Sequence, residues 1–302
     1  MRTQKRFTPA LLERFTRIGR GTGTYQDYIP WHRVSRSDPS SRGRSHLIAW
    51  RNRQRELLSD GEWTGLNFSA MLPNLADLVE QFPLNEEDTQ FELSRWNIRV
   101  GDRAYPGTIA LAKTLGIKHP TLKELEDKRL WTSTTDLLLV LRTSDGQFEL
   151  LAVSVKPGSI DDLSKRARQL LSLEKEYWSA RGVTWLLITP TLYEKSIALT
   201  LRRTAPWGLA EPVGEPEIAL ACHTAVSMSS YPVSDIIHQI SDRLNDRDDQ
   251  YLAMKALWQS IWQGRLPVDL NRGWRPHLPL KLITCQQFIA MNPVLSRRSA
   301  WI

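Results

Sequence analysis

The stretch TTDLLLVLRTSDGQFELLAVSVKPG, residues 134–158, decides the fold of this chain. Its two apolar runs, 134–142 and 148–156, flank a short connection with an Asp-Gly dipeptide, which is typical of a β-hairpin turn. A Pro-Gly pair ends the second run, because proline lacks the N–H that a strand needs. The pattern predicts two buried antiparallel strands, with Asp136 and Lys156 side by side at the open end of the hairpin.

The segments on either side of the hairpin complete a mixed α/β domain. Leucines at helical spacing predict a helix just after residue 56, and the runs 77–84 and 184–189 predict further strands. A second helix is predicted to open near residue 161, between the hairpin and the last strand. The order helix, strand, hairpin, helix, strand predicts a mixed sheet flanked by helices over residues 56–189.

Glutamates interrupt the apolar stripes of both predicted helices. Glu62 lies between Leu58 and Leu66 on the first helix, and Glu174 lies on the apolar stripe of the second. A carboxylate that faces a core needs a cation, hydrogen-bond donors or a metal. Two plainer interpretations stay open, since Glu62 would also suit a partly exposed helix end and Glu174 a pair with a neighbouring arginine.

The composition changes after residue 190. A Pro/Gly-rich connection over 205–216 leads to amphipathic helices predicted at 233–244 and 249–265, and residues 266–283 are predicted to form a short two-stranded turn. Helices followed by such a turn indicate a winged-helix-like C-terminal domain over 190–302. Domains of this kind bind DNA or proteins, and the sequence does not choose between them.

The positive charge of the chain is concentrated near its start. The 302 residues carry 40 Lys and Arg against 33 Asp and Glu, a formal net charge of +7. Residues 1–55 alone hold 13 Lys and Arg against three acidic residues, which gives this basic arm +10 and leaves the remainder slightly acidic. Arginine suits forked contacts to phosphate, so we assign DNA contact to Arg42, Arg44, Arg51 and Arg53. A solvated basic tail, directed to a membrane surface or to RNA, is the open alternative.

Composition also excludes several classes of protein. No stretch approaches the ~20 consecutive apolar residues of a membrane-spanning helix, and the first residues lack the apolar run of a secretory signal. Two cysteines, Cys222 and Cys285, are too few for a four-ligand zinc site. We therefore expect a soluble intracellular protein of two domains, preceded by the basic arm.

Three polar residues are expected to form one small site. Asp136 begins a buried strand, Lys156 ends its neighbour, and Glu62 projects from a helix toward the sheet. Two carboxylates can hold Mg²⁺, a hard ion that prefers oxygen ligands and activates water beside a phosphodiester. The lysine would orient that water or stabilise the developing charge. The alternatives are a solvated strand start for Asp136 and a plain strand-end cation for Lys156.

Many short motifs, in order along the chain, resemble those of the TnsA family, the endonuclease subunits of heteromeric Tn-seven-type transposases. The resemblance covers roughly residues 15–190, and IWQGRLPVDLNR (261–272) more weakly resembles the second domain of that family. The motifs are DYIPW (27–31), SSRGRSH (40–46), LLSDGE (57–62), EQFPL (80–84), GIKHP (116–120), TTD (134–136), VKP (155–157), EKEYW (174–178) and TWLLIT (184–189).

The resemblance implies a restriction-endonuclease-like catalytic domain with a Glu, Asp and Lys triad and Mg²⁺, for which Mn²⁺ can substitute. The matching positions are Glu62 in LLSDGE, Asp136 in TTD and Lys156 in SVKP. Glu62, Asp136 and the carbonyl of Val155 are the implied metal ligands. The family commonly has a glutamine two residues before the lysine, and Ser154 stands there in this chain.

The resemblance also implies auxiliary residues and partners. Ser154 and Glu174, which matches a family carboxylate near the site, are the auxiliary candidates. Such a subunit cleaves the 5′ ends of a transposon, while an integrase-type transposase subunit cuts and joins the 3′ ends. An AAA+ ATPase regulator is expected to dock on the C-terminal domain. The implied location is the bacterial cytoplasm, with nucleoid association when DNA is bound.

Two other functions remain open at this point. A free-standing restriction or repair-type endonuclease would share the same core but would carry its own surface for reading a target. A non-catalytic winged-helix DNA-binding protein would make Glu62, Asp136 and Lys156 incidental.

Overall fold

The protein is described by a computed structural model, which covers residues 6–35, 38–39, 44–124, 126–245 and 250–301. The chain divides into two compact units. The first comprises Met1–Trp63, Asn74–Thr189 and Ser299–Ile302, and the second comprises Thr64–Pro73 and Pro190–Arg298. The domains 1–55, 56–189 and 190–302 stay a prediction. The two units are divided differently, since residues 64–73 belong to the second unit and residues 299–302 to the first.

The described residues form both helices and strands. The strands are β1 (His46–Trp50), β2 (Arg53–Leu57), β3 (Leu75–Pro83), β4 (Thr121–Glu124), β5 (Asp127–Leu130), β6 (Thr134–Arg142), β7 (Phe148–Val155) and β8 (Thr184–Ile188). The helices are α1 (Pro9–Arg17), α2 (Asp60–Ala70), α3 (Thr108–Thr114), α4 (Lys165–Ser179), α5 (Lys195–Gly208), α6 (Glu215–Ser227), α7 (Val233–Leu244), α8 (Tyr251–Trp262) and α9 (Cys285–Met291). The mixed α/β class predicted from the sequence is confirmed.

The predicted hairpin is the centre of a four-stranded mixed sheet with the order β3-β6-β7-β8. Strands β6 and β7 pair antiparallel, and Gly146 takes a positive φ of 82° in the turn, where a side chain would be strained. Strand β3 pairs antiparallel with β6, and β8 pairs parallel with β7 after the crossover through α4. The sheet therefore places the start of β6 beside the end of β7, as the apolar pattern predicts.

Helix α4 covers the sheet with one apolar face. Leu171, Tyr177 and Trp178 are buried in the main core of this unit. Burying a large side chain of this kind stabilises a fold by about 2–3 kcal/mol. The helix begins at Lys165 rather than near residue 161, because a short turn over Ile160–Asp162 comes first and the Ser164 side chain accepts a hydrogen bond from the N–H of Ala167 at 3.1 Å.

The described residues of the basic arm include helix α1 and strand β1. Helix α1 begins after Thr8, whose hydroxyl caps it, and it buries Leu12 and Phe15 against Trp31. Arg20, which follows α1, has an internal partner, since it forms an ion pair with Asp38 at 2.5 Å and its side chain is only 10 % exposed. The basic arm over 1–55 stays a prediction as a division of the chain, and in the structure apolar side chains at helical spacing dock α1 on the first unit.

The second unit is mainly helical. Helices α6, α7 and α8 pack against one another, and α7 and α8 confirm the two predicted amphipathic helices. The predicted Pro/Gly-rich connection is wrong for residues 205–208, because α5 continues through Pro206 as far as Gly208.

The predicted two-stranded turn of the second unit is reduced to a single bridge between Val268 and Leu282. Backbone hydrogen bonds flank this bridge, from Asp269 N to Lys281 O at 2.8 Å and from Ile283 N to Pro267 O at 3.1 Å. Several prolines lie in this segment, and proline cannot donate to a β-ladder.

None of the helices in the described parts of the chain has the length and apolar character needed to cross a bilayer.

Candidate active site

Helix α2 carries the predicted carboxylate Glu62 in its first turn. Glu62 is only 7 % exposed, and its Oε2 accepts a hydrogen bond from the N–H of Leu58 at 2.8 Å. Ser59 and Glu62 also bond reciprocally, with the Glu62 N–H donating to Ser59 Oγ at 3.1 Å and Ser59 Oγ donating to Glu62 Oε1 at 3.2 Å. This arrangement caps the helix and fixes the rotamer of the glutamate.

A close contact between α2 and β7 sets the distance from Glu62 to the sheet. A Cβ atom added to Gly61 would lie 2.8 Å from Cγ1 of Val155, closer than real side chains approach. The first turn of α2 therefore rests directly on the last residue of β7. Only glycine allows this approach, and it brings Glu62 to the same end of the sheet as Asp136.

Asp136 and Lys156 meet at the open end of the hairpin. Asp136 Oδ2 accepts hydrogen bonds from the N–H of Val155 at 2.7 Å and from Lys156 Nζ at 3.4 Å. Lys156 Nζ also donates to the carbonyl of Val155 at 3.0 Å. The structure thus brings together Glu62, Asp136, Lys156 and Val155, the four residues that the sequence analysis places in one site.

Acidic groups outnumber cations in this site. Burial raises the pKa of Glu62 to about 8, and the neighbouring Asp136 charge adds to the effect. Burial lowers the pKa of Lys156, but the charges of Asp136, Glu174 and Glu62 outweigh it and the net shift is upward. Lys156 therefore stays protonated, whereas Glu62 is largely protonated at neutral pH, so a cation that binds there must displace its proton.

Glu174 and Ser154 form a buried pair of their own. The hydroxyl of Ser154 donates to Glu174 Oε1, and that of Thr135 donates to the same oxygen at 2.8 Å. Burial, followed by the charge of Asp136, raises the pKa of Glu174 to about 7. The hydrogen-bond donors to Glu174 are therefore hydroxyl groups, and not the neighbouring arginine that the sequence analysis left open. The Ser154 hydroxyl is used by Glu174.

Gln81 is a site residue that the sequence analysis missed. It is 2 % exposed on β3, and its Nε2 donates to Glu62 Oε2 at 3.2 Å and to Asp136 Oδ1 at 3.4 Å. Its φ of 52° lies in the left-handed region, a strain on the order of 1–3 kcal/mol for a residue other than glycine. The signal in the sequence is the pair Glu80 and Gln81, two adjacent polar residues inside an apolar strand.

The comparisons with known proteins bear on this geometry. Residues 86–190 match the sequence model of the family described as TnsA-like endonuclease N terminal. Over 204 residues the chain is 31 % identical to the Transposon Tn7 transposition protein TnsA of Escherichia coli. Residues 86–190 form a TnsA-like endonuclease N-terminal domain, and the chain is similar to TnsA beyond that segment. The alignment covers 67 % of this chain and 63 % of the length of that relative.

The segment that matches the TnsA-like family contains only part of the site. Residues 86–190 include β6, β7 and α4, and with them Asp136, Lys156 and Glu174. Glu62 and Gln81 precede that segment, so their place in the site rests on the structure of this chain. The resemblance of the sequence to the TnsA family is confirmed.

The four arginines assigned to DNA contact have different surroundings. Arg44 is 81 % exposed at its side chain and lies 3.2 Å from Asp60. Arg51 donates to the carbonyls of Ala76 at 2.9 Å and Leu75 at 3.0 Å. Arg42 lies outside the described residues.

Arg53 does not face solvent, so its assignment to DNA contact is wrong. Its side chain is 6 % exposed and forks onto Glu80, with Nη1 to Oε1 at 2.7 Å and Nη2 to Oε2 at 2.6 Å. The guanidinium is held there because the fully buried Glu80 carboxylate needs a cation. Arg53 is a structural residue.

The donor set at the end of the sheet suits a hard divalent cation. Glu62 and Asp136 supply carboxylate oxygens. Val155 supplies its backbone carbonyl, which lies 3.0 Å from Lys156 Nζ. Within the described residues, no group of three or more His, Cys, Asp or Glu side chains could hold a metal ion. Two carboxylates and a carbonyl, completed by water and phosphate oxygens, are ligands that Mg²⁺ accepts.

Proposed function

We propose that this chain is a Mg²⁺-dependent DNA endonuclease, with Mn²⁺ as a substitute metal. The observation that carries the proposal is the convergence of Glu62, Asp136 and Lys156 from α2, β6 and the end of β7. These residues come from three separate parts of the chain, and they place two carboxyl groups beside one ammonium. The family match adds support, since it names an endonuclease domain.

Each residue has a distinct role in the proposed hydrolysis. Glu62, Asp136 and the Val155 carbonyl would hold the ion, which supplies Lewis-acid stabilisation and an acidified water when bound. Lys156 Nζ, 3.4 Å from Asp136 Oδ2, is positioned to orient the attacking water or to stabilise the charge that develops on the scissile phosphate. Its raised pKa keeps the ammonium charged for that task. Ser154 and Glu174 would support the site from the buried side.

We infer that the reaction is cleavage of the 5′ ends of a transposon during cut-and-paste transposition. The support is the similarity to a relative that is named as a transposition protein. An integrase-type transposase subunit would cut and join the 3′ ends, and an AAA+ ATPase regulator would bind the C-terminal part. The exposed Arg44 would contact the DNA backbone in the bacterial cytoplasm, at the nucleoid.

We also infer a winged-helix-like architecture for residues 190–302. The support is the packing of α6, α7 and α8 on one another, followed by the bridged segment around Val268 and Leu282.

The test is cleavage of transposon-end DNA by the purified full chain together with its transposase partner. Asp136→Ala should lower Mg²⁺-dependent nicking by at least about 100-fold, because it removes a metal ligand and the partner of Lys156. Asp145→Ala is the matched control, since this aspartate is exposed in the turn of the same hairpin. Unchanged nicking by Asp136→Ala would exclude the proposed site, and nicking without the transposase would favour a free-standing endonuclease.

A further inference from the structure

Gln81 lies directly across the sheet from Asp136. The pairs Glu80 with Leu137 and Phe82 with Thr135 flank it in the register of β3 and β6. At this point the backbone of β3 turns into the left-handed region, with a φ of 52°. Asparagine and glycine adopt this conformation readily, whereas glutamine seldom does. The surrounding structure must therefore hold it in place.

The backbone carbonyl of Gln81 is held by two donors. The Tyr28 hydroxyl donates to it at 3.3 Å, and the N–H of Trp31 donates to it at 3.3 Å. Both donors come from a segment that is distant in sequence, and both residues are buried. The unusual conformation is thus stabilised from outside the strand.

The side chain of Gln81 has a defined orientation. Its Oε1 accepts a hydrogen bond from Thr134 Oγ1 at 3.2 Å, which leaves its NH₂ group directed at the carboxylates. That group donates to Glu62 Oε2 at 3.2 Å and to Asp136 Oδ1 at 3.4 Å. One amide therefore links a carboxylate on α2 with a carboxylate on β6.

We propose that Gln81 is a positioning residue, which holds the carboxylates of Glu62 and Asp136 at the separation needed to receive a divalent cation. The inference rests on the proposed metal-dependent function. Two buried carboxylates repel one another, and a shared donor offsets that repulsion and fixes both rotamers. Partners of metal ligands typically change metal affinity by about 10–100-fold when they are removed.

The experiment measures binding of Mn²⁺ to the full chain without DNA, from the electron paramagnetic resonance signal of the free ion. Gln81→Met keeps the length of the side chain and removes its donors, so the dissociation constant should rise about 10–100-fold. Gln259→Met is the matched control, because Gln259 is another buried glutamine whose Nε2 donates to backbone carbonyls, at 3.2 Å to Trp207 and 3.1 Å to Glu211. This control should bind Mn²⁺ as the unmodified chain does.

Gln81→Asn separates the side chain from the backbone. Asparagine suits the left-handed conformation, so this variant should fold even where Gln81→Met does not, but it is one methylene too short to reach both carboxylates. It should show the same loss of Mn²⁺ affinity, and nicking at saturating Mn²⁺ should recover, which a merely structural defect would not allow. Binding at the unmodified affinity by folded Gln81→Asn would overturn the inference.

Asp136→Ala, measured in the same titration, distinguishes failure of the proposed role of Gln81 from failure of the proposed metal site. If the unmodified chain binds Mn²⁺ and Asp136→Ala does not, the metal site stands whatever the glutamine variants show. If the unmodified chain and Asp136→Ala bind Mn²⁺ equally, the proposed metal site fails and the role of Gln81 fails with it.

Discussion

Two groups of buried charges in the first unit differ in how they are balanced. The arginine network, Arg53 and Arg55 around Glu80, surrounds one carboxylate with two guanidiniums. The carboxylate site has Glu62, Asp136 and Glu174 around a single ammonium, that of Lys156. The arginine network is buried throughout, so a charge left there without a partner is costly, whereas Asp136 and Lys156 of the carboxylate site are partly exposed. The first group has the composition of a structural element, and the second has more carboxyl groups than cations, as the proposed metal site requires.

The largest effect is expected from substituting the central acid of the arginine network. Glu80→Gln leaves two buried guanidiniums without their counter-ion and should lower the free energy of unfolding by about 3–5 kcal/mol. Glu62→Gln, the same substitution in the carboxylate site, should instead raise it by about 1 kcal/mol in EDTA, because a neutral amide avoids the burial penalty that raises the pKa of Glu62. Urea denaturation of the two variants tests the comparison directly. Equal destabilisation by both substitutions would show that groups of the protein already balance the charges of the carboxylate site.

A smaller effect is expected from His32, a buried group that stays neutral. Burial lowers its pKa to about 4, and the ring stacks on Trp131 at a centroid distance of 5.6 Å. Below the ordinary pKa of 6.5 the unfolded chain takes up a proton that the folded chain refuses, so stability falls as the pH drops from about 6.5 toward 4. The loss from this group should be about 2 kcal/mol at pH 5.

His32→Phe provides the control for that pH dependence. Phenylalanine keeps an aromatic ring among Phe7, Phe15 and Trp131 and cannot take up a proton. The difference in unfolding free energy between the two proteins should grow as the pH falls from 7 to 5. A difference that is constant over this range would show that His32 is accessible to protons in the folded state.

The contact between α2 and β7 should respond to one added methyl group. Gly61→Ala places a Cβ against Val155 and should destabilise the fold by about 1–2 kcal/mol, since overpacking outweighs the helix propensity of alanine. It should also weaken Mn²⁺ binding, because Glu62 moves with α2. Gly101→Ala is the control, since a Cβ there meets nothing within 4 Å. Normal Mn²⁺ binding by a destabilised Gly61→Ala variant would show that the contact between α2 and β7 does not set the position of Glu62 for metal binding.

The smallest effect is expected at the exposed edge of the basic region. Arg44→Ala should leave stability unchanged, because its ion pair with Asp60 is exposed to solvent. It should weaken DNA binding and reduce the slope of log affinity against log salt by about one. Arg53→Met should do the reverse, destabilising the fold without a change in that slope. If the two variants exchanged these effects, the division between structural and DNA-facing arginines would be wrong.

Local patterns in the sequence were sufficient for the elements that carry the site. The alternation and turn of residues 134–156 predict that Asp136 and Lys156 meet, because hairpin register depends on residues that are close in sequence. Helical spacing likewise predicts that Glu62 and Glu174 face inward. The amphipathic helices of the second unit follow from the same periodicity.

Only the tertiary structure decided which charged side chains form ion pairs inside the protein and which stay accessible to a ligand. Arg53 and Glu80 are separated by 27 residues, so no local pattern reveals that this arginine forms an ion pair with a buried carboxylate. The left-handed backbone of Gln81 likewise depends on Tyr28 and Trp31, which local propensity cannot anticipate. Side-chain type and periodicity act within a few residues, whereas burial and charge pairing arise when distant segments pack together.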